Sequence, residues 1–113
     1  MTSFIPTTTF ERSYKRLKKK YPSLSSDLKE FEAQLIQNPK AGVDLGGRFR
    51  KVRVAIASKG AGKRGGARII TYDLLVQECN QVFILVDIYD KSERSSMLDS
   101  EYKAVVKEFL NKR

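Results

Sequence analysis

Apolar residues recur along this chain with two different periods, and each change of period marks an element. Phe10, Tyr14, Leu17 and Tyr21 return at helical spacing, and Thr8 with Glu11 three residues on has the form of a capping box, so the pattern predicts a helix that Pro22 ends. A second helix is predicted from the Ser23 to Ser26 region, with Leu24, Leu28, Phe31 and Leu35 on one face, stopping before Asn38-Pro39. Together these predict a helical hairpin. Ahead of it, residues 3 to 7 read as a short strand, confined to a sheet edge because Pro6 has no amide hydrogen to donate.

Lys40 to Gly47 reads as a turn-rich connector, after which Phe49 to Ile56 alternates with period two. Val52, Val54 and Ile56 then face the core, and Lys51 and Arg53 point together the other way, about 7 Å apart at roughly 3.3 Å per residue. Ser58 to Gly66 is a glycine-rich loop, and Ala67 to Val76 a second strand with Arg68, Ile70 and Tyr72 on one face. Glu78-Cys79-Asn80 is expected to turn into a third strand, Val82 to Tyr89, which is apolar on both faces and so belongs in the sheet interior. Asp99 or Ser100 is expected to cap a last helix with Tyr102, Val105, Val106, Phe109 and Leu110 on its buried stripe. The sum is one α+β domain over residues 1–113: a helical hairpin packed on a small antiparallel meander, closed by a C-terminal helix. The helices are expected to cover one face of the sheet and leave the other open.

Charge changes this picture from a fold into a site. The 113 residues carry a formal charge of +9, and between Asp44 and Asp73 there are eight basic residues and no acidic one. A field of one sign on neighbouring strands opposes folding by self-repulsion, so its explanation is sought in a polyanionic partner, nucleic acid first. A membrane-surface role would want these cations on an amphipathic helix, whereas the densest cluster lies on strands and a loop. No run approaches the roughly 18 apolar residues of a membrane span, and the first residues lack the pattern of a secretory signal, which leads to the expectation of a cytoplasmic protein. With no histidine and a single cysteine, Cys79, the usual zinc sites, intrachain disulfides and Ser/Cys-His catalytic systems fall away. Cys79 itself is read as incidental.

The residues that narrow the reading are Arg50-Lys51-Val52-Arg53-Val54-Ala55, then Ser58-Lys59-Gly60-Ala61-Gly62-Lys63-Arg64-Gly65-Gly66-Ala67-Arg68, and the strand end Ile88-Tyr89-Asp90-Lys91-Ser92-Glu93. In this order they resemble the RelE/ParE superfamily of bacterial type II toxins, and most closely its HigB/RelE-like branch, from the second helix to the last strand. The resemblance implies a messenger-RNA endonuclease that works on the ribosome, needs neither cofactor nor metal, and is held inactive by a cognate antitoxin protein. It places Arg68 at the scissile phosphate, where a planar guanidinium can hold two oxygens. Lys51 and Arg53 correspond to paired basic residues that neutralise phosphate, Lys51 also serving as a base. Tyr89 and Lys91 correspond to groups for proton transfer and leaving-group stabilisation. Arg50, Lys59, Lys63, Arg64 and Arg94 are assigned to RNA contact, and Gly60, Gly62, Gly65 and Gly66 to close approach of backbone amides to phosphate. The chain departs from the RelE pattern at Ser92 and near Leu98, where the family has further catalytic groups; Tyr89 and Arg94 are the substitutes expected.

Two other readings stand beside this one. A ParE-like protein of the same fold would bind a protein target such as a topoisomerase and cut nothing. A non-catalytic RNA-binding module would bind with steep salt dependence and leave RNA intact. Lys18-Lys19-Lys20 reads first as a solvated helix end favoured by the helix dipole, and second as an addition to a nucleic-acid face.

Overall fold

The strand pattern is resolved in a computed structural model, which describes residues 1–77 and 80–112. The elements run β1 (Thr2–Pro6), α1 (Thr8–Lys20), α2 (Leu24–Gln37), β2 (Val43–Gly46), β3 (Phe49–Val54), a short 3-10 turn (Ala57–Lys59), β4 (Ala67–Gln77), β5 (Asn80–Asp90) and α3 (Asp99–Asn111). Of the expected turn at 78–80, Glu78 and Cys79 lie outside the described residues.

The sheet has five strands in the order β1-β5-β4-β3-β2, with β1 parallel to β5 and the other pairs antiparallel. The expected antiparallel meander is therefore the middle of a larger mixed sheet, and a strand precedes the two helices. β1 sits at the edge that Pro6 demands, with Phe4 opposite Phe83 and their rings stacked at 5.5 Å. The other edge, β2, falls inside the expected connector: four residues are too few for alternation to register. It turns into β3 through Gly46, Gly47 and Arg48, all with positive φ.

Helices cover both faces, not one. α1 and α2 bury Phe10, Leu17, Leu24, Phe31 and Leu35 against Val52, Val54, Ile69, Phe83 and Leu85. α3 buries Tyr102 and Val106 against Phe49, Ile70, Ile84 and Val86, the residues that alternate with the first set on the same strands. Burying both faces of the central strands requires a cover on each side, and an apolar stripe on α3 does not reveal from sequence which side it takes. Leu110, assigned to that stripe, is more exposed than expected, at 38%.

Two helix starts differ from expectation. The N-cap of α1 is Thr7: its hydroxyl accepts from the Phe10 amide at 3.0 Å and donates to the Val86 carbonyl at 2.8 Å. The N-cap of α3 is Leu98, whose side chain can accept nothing; instead the Glu101 carboxylate accepts from the Leu98 amide at 2.8 Å, the reverse half of a capping box.

One irregularity decides which side chains share a face. β4 pairs Ile70 with Asp87 but Thr71 with Leu85, so Val86 is an extra residue on β5. This bulge shifts the alternation by one. Phe83 and Leu85 face α1 and α2, yet Tyr89 faces the α3 side. Without the bulge all three would point the same way.

Candidate nucleic-acid interface

The register builds a row across three strands: Arg53 of β3 lies opposite Arg68 of β4, and Arg68 lies opposite Tyr89 of β5. At roughly 4.8 Å between strands the row is about 10 Å long. Lys51 stands two residues before Arg53 on the same face. α3 covers the neighbouring Phe49, Tyr72 and Ile84 part of that face, and Tyr89 belongs to the same buried cluster. Arg53 is exposed and Lys51 partly so, whereas Arg68 and Tyr89 are buried.

Arg68 has a structural duty here. One guanidinium nitrogen donates to the carbonyls of Lys63 and Ala67, both at 3.1 Å, and the other to the carbonyl of Arg64 at 3.0 Å. The fork thus holds the glycine-rich loop against the sheet. Burial lowers its pKa, as does the Arg53 charge opposite it; an arginine so placed remains a cation.

Tyr89 is 3% exposed, and its hydroxyl has no hydrogen-bond partner among the described residues. Burial raises the phenol pKa, partly offset by the nearby Arg68 and Arg94 charges, so the group is a protonated donor at neutral pH. Arg94 lies over the Tyr89 ring, its guanidinium carbon 5.6 Å from the centroid. Two bonds hold it there: to Glu101 at 2.8 Å and to the Ser96 carbonyl at 2.9 Å. The Leu98 amide most, then the bond and charge of Arg94, keep the Glu101 carboxyl below its usual range. Arg94 thus joins the row.

Other expected RNA contacts are placed elsewhere. Arg50 alternates with Lys51 onto the α2 side, donating to the Lys40 carbonyl at 3.0 Å. Lys59 donates to the fully buried Asp90 at 2.6 Å, and Asp90 also accepts from the Tyr21 hydroxyl at 2.6 Å and from Ser92. Against the opposing effect of burial, these bonds hold the Asp90 carboxyl well below its usual range. Lys59 therefore ties the loop to α1 and β5. Lys63 and Arg64 project into solvent, Lys63 beside Asp27 and Glu30 of α2. Lys91 is exposed just past β5, its amide bonded to the Gly66 carbonyl at 3.1 Å.

The loop glycines are used within the protein. The amides of Gly60, Gly65 and Gly66 donate to loop carbonyls, and a Cβ on Gly66 would sit 2.1 Å from the Val54 carbonyl oxygen. Gly66 is thus required for packing against the end of β3.

Two acidic residues at the site were not anticipated. Glu101 pairs with Arg94 across seven residues of chain, a relation with no periodic signal. Asp87 is 8% exposed; burial raises its carboxyl pKa, partly offset by bonds from the Ser13 hydroxyl and the Ile88 amide. Its signal was visible, as an acid inside an apolar strand. The site at Ser92, where the RelE pattern has a further basic group, belongs to the Asp90 network, and Leu98 is 65% exposed at the start of α3. No protein-family model matches the chain. Among the described residues no helix is long and apolar enough to cross a membrane.

Proposed function

We propose that this protein is a RelE/HigB-like toxin: a ribosome-dependent messenger-RNA endonuclease, acting in the cytoplasm and restrained by an antitoxin protein. The observation that carries the reading is the buried Tyr89 hydroxyl without a partner among the described residues, set in line with two arginines. A buried donor left unpaired is costly. A phosphate or leaving oxygen of RNA would supply its acceptor, and the cations beside it suit the charge such a ligand brings.

In this mechanism the ribose 2′-oxygen attacks the adjacent phosphorus, its proton passing to a base for which Lys51 is the candidate. The bond from phosphorus to the 5′-oxygen breaks, and Tyr89 gives its proton to that oxygen. The products are a 2′,3′-cyclic phosphate and a free 5′-hydroxyl. Arg53, Arg68 and Arg94 stabilise the added negative charge on the phosphoryl oxygens, the largest electrostatic contribution such a site can make. The reading is tested by primer extension on a message in a cell-free translation reaction, with ribosomes omitted in parallel. Discrete cuts that need ribosomes and vanish with Arg53→Gln are expected. Translation arrest without cuts would replace the nuclease by a binding-only protein.

A further inference from the structure

The outward face of α1 takes no part in the site above. Arg12, Lys15, Arg16, Lys18, Lys19 and Lys20 are all exposed on it, while Phe10, Leu17 and Tyr21 of the same helix are buried. At 100° per residue, Arg12, Lys15, Arg16 and Lys19 fall within about 100° of one another, on the side away from the core. Within this stripe only Arg16 has an acidic partner among the described ion pairs, Glu93 at 3.2 Å. Arg12 with Arg16, Lys15 with Lys19 and Arg16 with Lys20 are like charges one turn apart, an arrangement that weakens a helix.

We infer that this face of α1 is a second RNA-binding surface, which grips the backbone of double-stranded RNA. Its geometry fits such a ligand: Arg12 to Lys19 spans about 10 Å along the axis, long enough to meet several successive phosphates on one strand of a duplex. A single strand would need aromatic rings on which to stack its bases. α1 offers none, because Phe10 and Tyr21 are buried and Tyr14 stacks on Phe10 and packs against the core. An anionic membrane would need the helix to present an apolar face, and that face is already inside the protein. α1 covers the sheet face opposite the Arg53–Arg68–Tyr89 row. The two surfaces therefore take different RNA segments, a strand to be cut on one side and a folded RNA on the other. The pairing of these roles rests on the nuclease reading; duplex binding by α1 does not.

The test is fluorescence anisotropy with a short RNA duplex and with one of its single strands, over a range of salt, for the whole protein and for a triple Arg12→Gln, Lys15→Gln, Lys19→Gln variant. The variant is expected to lose at least tenfold in duplex affinity and to lower the salt slope by about 2 to 3, at nearly one unit per phosphate. Removing like-charge neighbours should leave its melting temperature equal or higher, so misfolding would not mimic the result. A Lys15→Arg, Lys19→Arg variant should bind duplex as wild type does. Unchanged duplex affinity and slope in the triple variant would overturn the inference, as would wild-type protein preferring the single strand or binding only anionic vesicles. Duplex binding through α1 by a protein that cuts no message would uphold it and overturn the nuclease reading.

Discussion

Arg53 and Arg68 stand directly opposite each other on adjacent antiparallel strands, on the face shared with Tyr89. Like charges in that relation oppose sheet formation. Arg68 is compensated by the loop carbonyls it holds, whereas Arg53 is exposed and has no such bonds among the described contacts. The stability lost there is consistent with a demand made by a ligand.

Replacing Arg53 by threonine should therefore stabilise the fold while removing function. Relief of the cross-strand repulsion is expected to contribute about 0.2–1 kcal/mol. Thermal unfolding would read this as a melting temperature raised by up to a few degrees. Cleavage by the same variant should fall by roughly 100-fold or more.

Arg68 is expected to behave differently. Arg68→Ala removes three hydrogen bonds and leaves carbonyls of the loop unpaired, at about 1–3 kcal/mol for each that stays buried. Limited proteolysis should then cut within residues 58–66 faster than in wild type. Loss of cleavage in this variant would mix loop release with lost charge, which makes Arg53 and Tyr89 the cleaner probes.

The Asp90 network sets an acid limit. Its folded carboxyl lies below the unfolded value of about 3.9, so its contribution is complete above about pH 5 and is lost progressively as pH falls further. Urea midpoints should drop between pH 4 and pH 2.5 in wild type, and less steeply in Asp90→Asn. At pH 7 that variant, which strands the mostly buried Lys59 ammonium, should be destabilised toward the lower end of roughly 3–5 kcal/mol.

Glu101→Gln should keep the bond to the Leu98 amide, since glutamine also serves in a capping box, but release Arg94 from a carboxylate. Melting should shift little. RNA affinity should rise several-fold because one negative charge leaves the cationic face, and a titration showing weaker binding would contradict this role for Arg94.

The elements were legible because helix and strand periods are strong local signals: α1, α2, β3 and β4 stand within a few residues of their expected bounds. What escaped the sequence was relational. A single bulge residue, Val86, turns Tyr89 toward Arg68, and a strand apolar on both faces gives no alternation from which to read it. The side taken by α3 was hidden for the same reason. Lys59 looked like a free cation because Asp90 and Tyr21, its partners, are distant in sequence, and Arg68 looked purely catalytic because its carbonyl acceptors are backbone groups with no sequence signature.

The most direct measurement is the single-turnover cleavage rate of Tyr89→Phe on a ribosome-bound message. This change removes one hydroxyl that has no partner among the described residues, so the fold should be at least as stable. If Tyr89 donates the proton to the leaving oxygen, the rate should fall by about 100-fold or more with melting unchanged. A wild-type rate would contradict the assignment of this row as the cleavage site.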